Sequence, residues 1–465
     1  MRILNATGVF LAILAGLGLS SCGGSSSGGS GGSGVTNDAS VFTVGTDAPL
    51  PSVISCQIMV TGVTINNGTT NVPVLTNPQD VDFAQLSGLH QLLDLNAVPP
   101  GTYSSATVTL ASPVIGFIDT TQNPPTINTI NGTLSTSTVT VNFANPFTIN
   151  SADLVGLRME FDLRQSLQTD QNGQVTGTVN PVFNMQLLDA TDSQVSIDDF
   201  AAGVIGVSGD STFTVQGPKG RQWTVQTSAS TILDDPSEPV SSFTTNTIVL
   251  ISGQLDPVSK DIDASEIEVA SDDKFYLAGL FTSIRPPSGP ATQADLYVRA
   301  ELPDINGISD GQITTLTLDG SEKYKIANIN NPITTLVFNN SLLEPGQSVA
   351  VGGSLVTNNG TSTLTPHRVV LRRQGQQGPW VPGSTVIQSG NAGSFEFTDN
   401  WTAGVLLPNP LTVLTTNATN FINLTGLSAL SGTQPIPLRI VGFVLFDSAT
   451  NQPVMVARSV EQITD

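Results

Sequence analysis

Ser105-Ala106-Thr107-Val108-Thr109-Leu110 alternates small polar and apolar residues, the period of two required of a strand with one buried and one wet face. Three stretches downstream repeat it. Val139, Val141 and Phe143 stand against Thr138, Thr140 and Asn142, and Met159, Phe161 and Leu163 against Arg158, Glu160, Asp162 and Arg164. Phe183, Met185 and Leu187 stand against Asn184 and Gln186. Such alternation marks antiparallel strands over a shared core. Pro99-Pro100-Gly101 and Gln171-Asn172-Gly173 supply turn chemistry. Only residues 83–95, with Leu86, Leu89, Leu92 and Leu93, suggest a short helical turn.

Past Asp199 one ordered pattern recurs, and internal repetition takes precedence over local detail. In the first copy Phe213-Thr214-Val215 and Trp223-Thr224-Val225 are followed by Ser230-Thr231-Ile232-Leu233, by Val249-Leu250-Ile251-Ser252-Gly253-Gln254-Leu255 and by Ala264-Ser265-Glu266-Ile267. The second has Ile333-Thr334-Thr335-Leu336, Val349-Ala350-Val351-Gly352-Gly353-Ser354-Leu355 and His367-Arg368-Val369. The third has Ala418-Thr419-Asn420-Phe421, Leu438-Arg439-Ile440-Val441-Gly442-Phe443-Val444 and Val456-Ala457-Arg458-Ser459-Val460. A glycine in the fourth strand of each copy predicts a bulge where a small sheet curls toward closure. The fold class is therefore all-β. An N-terminal antiparallel β-sandwich over residues 40–199 is followed by about three small β-barrel-like repeats over 200–273, 274–378 and 379–465, with linkers expected at 271–274 and 374–378.

Working back to the N-terminus, Met1-Arg2 supplies one positive charge, and residues 3–19 are apolar or small apart from Asn5 and Thr7. That run has the layout of a secretory signal and is short for a membrane span. Its end, Leu19-Ser20-Ser21-Cys22, resembles the bacterial lipoprotein box. The resemblance implies cleavage after residue 21, making 1–21 a signal peptide, and acylation of Cys22. Each buried methylene contributes roughly 0.8 kcal/mol, so several acyl chains hold a protein on a bilayer. Gly23 rather than Asp follows the cysteine, which by the same resemblance favours the outer membrane. Residues 22–39 are rich in Gly and Ser and read as a flexible tether spanning roughly 20 Å. A Gly-x-Ser-x-Gly match at Gly28 to Gly32 lies inside that tether, without the strand and helix that a nucleophile elbow needs.

Two further resemblances follow from quoted residues. Thr46-Asp47-Ala48-Pro49, Val60-Thr61-Gly62-Val63, and Leu92-Leu93-Asp94-Leu95 ahead of Pro100-Gly101-Thr102-Tyr103 resemble a family of bacterial lipoprotein domains of unknown function. That family implies a transthyretin-like sandwich and an envelope location, with no established activity. The first barrel-like copy resembles a second envelope family of unknown function, small barrel-like domains found in series.

Composition narrows the function classes. Asp and Glu outnumber Lys and Arg 37 to 16, for a net charge of −21, which argues against nucleic acid and against basic attachment to anionic lipid. With Cys22 lipidated only Cys56 remains, so no intrachain disulfide forms, and Ile54, Cys56, Ile58 and Val60 share one strand face as core. His90 and His367 are the only histidines, and neither has a second imidazole at ligand spacing. Asp198-Asp199 and Asp272-Asp273 are candidate calcium ligands, calcium taking six to eight oxygens, and they compete with a reading as turn and surface carboxylates. Of the tryptophans, Trp223 alternates with Val225 as core, whereas Trp380 and Trp401 sit among Gly, Pro and Asp in loop-like context and are candidate sugar-stacking contacts.

The expected protein is a non-catalytic, lipid-anchored envelope or cell-surface protein with a binding or scaffolding role. Its expected partners are the membrane, through the N-terminal anchor, and a surface glycan or envelope protein. An envelope hydrolase acting on glycans or other polymers and a calcium-dependent adhesion protein are the alternatives. A carboxylate pair in a cleft at a domain junction marks the first, and oxygens converging at the acidic junctions mark the second.

Overall fold

The computed structural model describes residues 38–463 except 49, 51, 218–221, 235–237, 271–273, 303–304, 328–333, 359–360 and 400–403. The chain is 60% strand and 5% helix, as the alternating patterns require. The first unit contains, among the described residues, β1 (Ala39–Ala48), β2 (Val53–Asn66), β3 (Asn71–Leu75), β4 (Gln79–Asp82), β5 (Gln91–Val98), β6 (Gly101–Asp119) and β7 (Thr126–Asn131). It continues with β8 (Thr133–Leu134), β9 (Thr138–Ile149), β10 (Leu154–Asp162), β11 (Leu167–Thr169), β12 (Val175–Val179) and β13 (Phe183–Asp189). One large sheet runs β13-β10-β1-β5, a second runs β3-β2-β6-β7 with β4 on β2 and β9 on β6, and a small third sheet runs β11-β12-β8.

The alternation explains why these sheets face each other. Ala106, Val108 and Leu110 of β6 and Leu157, Met159 and Phe161 of β10 are buried in a common core, and Phe161 stands 4.9 Å from both Phe83 and Phe183 by ring centroid. Each such side chain contributes about 1.5–3 kcal/mol by leaving water. The Tyr103 hydroxyl donates to the Pro99 carbonyl at 2.7 Å and pins the Pro-Pro-Gly turn. Two expectations change. The β1–β10 pair is parallel, because the long intervening chain supplies the crossover that a parallel pair needs. In residues 83–95 only Phe83–Gln85 is helical, as a 3-10 turn, and Leu92 and Leu93 lie on β5. Leu93 enters the sandwich core and Leu92 the core behind it, so β5 is apolar on both faces and mimics a helical run.

Repeat 1 comprises β14 (Ile197–Val207), β15 (Thr212–Gln216), β16 (Gln222–Gln226), β17 (Ile232–Leu233), β18 (Ile248–Leu255) and β19 (Ile262–Ala270). Its pairs run β14-β15-β16-β19-β18-β14, with β16 and β19 parallel, so the sheet closes on itself. In barrel-strand order this is 1-2-3-5-4-1, the Greek-key arrangement of the OB-fold. Repeat 2 has β20 (Phe275–Arg285), β21 (Gln293–Leu302), β22 (Ile313–Thr317), β23 (Lys323–Ile326), β24 (Ser348–Asn358) and β25 (Thr361–Leu371), and follows the same order without a β22–β25 ladder among the described residues.

Repeat 3 has β26 (Gln374–Pro379), β27 (Val386–Ser389), β28 (Ala392–Phe397), β29 (Leu411–Thr415), β30 (Asn420–Ile422), β31 (Pro437–Asp447) and β32 (Gln452–Gln462). It closes where Trp380 bridges Phe397. In every repeat the short strand β17, β23 or β30 runs parallel to the last strand, and a 3-10 turn precedes the fourth barrel strand. The fourth-strand glycines mark register shifts at Gly253, Gly353 and Gly442. A Cβ there would lie 2.1, 2.1 and 2.2 Å from a carbonyl oxygen of the facing strand.

The repeats do not stand apart. Residues 37–465 cluster as one compact unit. Ile248 and Leu250 of repeat 1, Phe281 and Val351 of repeat 2, and Phe443 and Val456 of repeat 3 share one core, while Phe42 and Leu154 of the sandwich join the core of repeat 1. The expected linker at 374–378 is strand β26, with Gln374, Gln376 and Gln377 buried.

Candidate functional site

Where β14 leaves the sandwich it bulges. Its register against β18 shifts between Ile197 and Phe200, and Asp199 adopts φ +50°, a left-handed conformation that Asp tolerates better than most side chains. The bulge turns two adjacent carboxylates to different partners. Asp198 Oδ2 accepts from the His90 backbone N–H at 3.0 Å and lies 3.2 Å from His90 Nδ1. Asp199 Oδ1 meets Arg372 Nη2 at 2.7 Å and Arg373 Nη2 at 3.0 Å.

The two arginines lie between β25 and β26, held by the buried Val369, Val370 and Leu371 before them. Arg372 Nη1 also meets Glu268 of β19. Arg373 donates to Ser252 Oγ at 3.1 Å and lies 3.5 Å from Asp198. Arg368 donates to the Val269 carbonyl, and Lys325 meets Asp234 at 3.4 Å. On the sandwich side Arg299 of β21 lies 3.5 Å from Asp82, whose oxygens accept from Ser55 and from the Cys56 N–H. A buried seam of guanidinium and carboxylate thus joins repeat 2 to repeat 1 and to the sandwich.

At Asp199, Asp82, Glu268 and Glu266 burial opposes the charged form, and its balance with the partners differs from one to the next. Against burial, Arg372 and Arg373 hold the Asp199 carboxyl well below the ordinary range. Burial pushes Asp82 up despite Arg299, and Glu268 up despite Arg372. Glu266 stands apart. Burial, reinforced by Asp199 and resisted by Arg373 and Arg458, pushes it up to about 7. It is 8% exposed, and its Oε1 has no hydrogen-bond partner.

Two cavities flank the seam. One, of about 190 Å³, is lined by Leu86, Leu92, Phe200, Tyr276, Arg372 and Gln374 and is smaller than typical small-molecule sites. The other, of about 490 Å³, is lined by Ser196, Asp198, Asp263, Glu266, Arg373 and Arg458 and falls within their range. Arg458 of β32, partly buried, makes neither hydrogen bond nor ion pair with another described residue.

The sequence candidates fall unevenly on this map. Asp198 and Asp199 are at its centre, but their oxygens face arginines and not a vacant cation cage. Among the described residues no three His, Cys, Asp or Glu side chains converge as metal ligands. Trp380 is 1% exposed and donates from Nε1 to Thr385 Oγ1 at 3.1 Å. Its proline neighbours end a strand, and its ring closes the core of repeat 3, so it offers no face to a sugar. Trp401, Asp272, Asp273 and Cys22 lie outside the described residues. Cys56 is core, as its strand face predicts, and Trp223 likewise. His90 meets Asp198, while Asp94, four residues on, accepts from the Thr76 N–H at 2.9 Å.

Sequence reading missed Arg372, Arg373, Glu266 and Arg458 as a group. One signal was present. Arg372-Arg373 directly follows Val369-Val370-Leu371 in a chain with 16 basic residues, and arginine next to a core run is seldom buried unless paired.

Two regions of the chain match known protein families. Residues 41–176 match a domain of unknown function (DUF4382) and residues 202–268 match another (DUF5666). The second match spans most of repeat 1. No curated protein matches the chain. A solved Drosophila structure, titled "drosophila Unr CSD456", is 9% identical, with a TM-score of 0.14, covering 57% of this chain and 97% of its own. The chain thus contains, in order, a sandwich region similar to one domain of unknown function and a closed barrel similar to a second.

Proposed function

We propose that this is a non-catalytic, lipid-anchored protein of the bacterial envelope or cell surface, with a binding or scaffolding role. The observation that carries the reading is the buried seam. Arg372 and Arg373 tie Asp199 and Glu268 of repeat 1 to repeat 2, and Arg299 ties repeat 2 to Asp82 of the sandwich, so the units present their surfaces in fixed relation. A fixed multi-unit platform suits holding a partner at a set distance from a membrane. The anchor rests on the Leu19-Ser20-Ser21-Cys22 motif. Cys22→Ser is expected to abolish labelling by radioactive palmitate and to release the protein from the membrane fraction. Membrane association unchanged in the variant, with no acyl label on the parent, would refute the anchor.

One observation favours the hydrolase alternative. Glu266, pushed up to about 7, shares a cavity with the carboxyl groups of Asp198 and Asp263, and an acid that keeps its proton near neutrality with a second carboxyl group in the same cleft is the minimum for glycoside hydrolysis. Turnover of an envelope glycan that Glu266→Ala abolishes is the result that would install this reading. The adhesion alternative draws nothing from Asp198 and Asp199, whose oxygens Arg372, Arg373 and His90 occupy.

A further inference from the structure

We propose that the cavity bordered by repeat 1, β32 of repeat 3 and the end of the sandwich binds a small hydroxylated carboxylate of the sugar-acid class, its carboxylate held between Arg458 and Glu266. This names the ligand for the binding half of the reading above and is independent of the membrane anchor, which palmitate labelling tests separately.

Charge chooses the ligand. Arg373 is committed to Asp199 and Ser252, whereas Arg458 lines the same cavity with its guanidinium unpaired. A planar guanidinium recognises a carboxylate through two parallel N–H bonds. Glu266 completes the grip. It is more than nine-tenths buried, lines the cavity and has an oxygen without a partner. While its carboxyl is protonated, as burial favours up to about pH 7, it can donate to the incoming carboxylate. The rest of the wall carries the hydroxyls and amide of Thr191, Ser196, Ser265 and Gln254 together with the carboxyl groups of Asp198, Asp256 and Asp263, acceptors and donors that suit the hydroxyls of a ligand whose own carboxylate sits at Arg458. The room, about 490 Å³, admits one sugar ring with space for water.

The proton makes the site sensitive to pH. The charged groups facing Glu266 are Asp198 and Asp199 from β14, Asp256 just after β18, Arg372 and Arg373 between β25 and β26, and Arg458 from β32, with Asp263 on its own strand. Asp198 and Asp199 are paired with Arg372 and Arg373, which leaves Arg458 to answer Glu266, the group whose charge changes near neutrality. A bound carboxylate keeps its proton on, and the complex forms with proton uptake near pH 7. Affinity should therefore be highest below about pH 7 and fall as Glu266 ionises above it.

Calorimetric titration of the full chain with glucuronate, glucose and glucosamine at pH 6 and pH 8.5 tests this. Glucuronate is expected to bind at pH 6 in preference to the other two and to weaken at least tenfold at pH 8.5. Arg458→Met should remove binding. Glu266→Gln, which retains a donor and cannot ionise, should bind glucuronate equally at both pH values. The proposal is overturned by no glucuronate binding at pH 6, by preference for glucosamine, by undiminished affinity in Arg458→Met, or by a wild-type pH dependence in Glu266→Gln.

Discussion

Two carboxylates of repeat 1 set opposite ends of the stability profile. Asp199 has its pKa lowered from an ordinary 3.8, so its contribution is complete above that value and is lost as pH falls further. Glu266 is raised from 4.5 to about 7, so its contribution is complete below 4.5 and is lost as pH rises through 7. Asp82 and Glu268, raised by burial, act in the same sense as Glu266. Thermal stability is therefore expected to peak at about pH 4–5 and decline toward pH 8. Glu266→Gln should recover up to about 3 kcal/mol of that decline, measured by urea unfolding at pH 5 and pH 8. An equal effect of the substitution at both pH values would contradict the assignment. Arg372→Ala leaves the buried Glu268 without its main cation and the partly buried Asp199 with Arg373 alone, and is expected to cost about 3 kcal/mol in the same assay. A loss below about 1 kcal/mol, as for an exposed pair, would mean that the seam is solvated.

Among the elements, the fourth barrel strands show how far a sequence signal reaches. Gly253, Gly353 and Gly442 each face a carbonyl oxygen too closely for a Cβ. Gly353→Ala is expected to destabilise by about 1–3 kcal/mol, whereas Gly203→Ala, with nothing within 4 Å, should stay within about 0.5 kcal/mol. Comparable melting points for the two variants would remove close approach as the reason for the glycine. These bulges were legible because a glycine in an apolar strand has few other uses. Strand β26 was not. Gln374-Gly375-Gln376-Gln377-Gly378 carries no apolar residue and reads as a linker, yet Gln374 accepts from the Ser348 N–H at 2.8 Å and donates to the Gly346 carbonyl at 3.1 Å. Its burial comes from neighbouring units, and a local pattern holds no record of them. The same holds for the binding cavity, whose Glu266 and Arg458 are far apart in the chain and share no motif.

In the whole molecule, shared cores distinguish this chain from a string of independent modules. Repeat 2 packs against Phe443 and Val456 of repeat 3, and Gln347 Nε2 donates to the Val444 carbonyl at 3.2 Å. Limited proteolysis is expected to leave one resistant core that spans the sandwich and all three repeats. A ladder of repeat-sized fragments would show that the units open separately. Repetition in sequence states that units are alike, and leaves open whether they stack in line or share a core.

The seam also orders events in time. Arg372 meets Glu268 across 104 residues, and Arg373 meets Asp199 across 174, in both cases with the arginine made later. While a ribosome is still short of Arg372, the acidic half of repeat 1 has no counter-charge to bury, and its barrel cannot settle against its neighbours. Synthesis would have to run well past the middle of the chain before the earlier barrel reaches its final state. A chain that stays unfinished for that long is expected to hold its first barrel open to proteases and chaperones until Arg372 and Arg373 arrive.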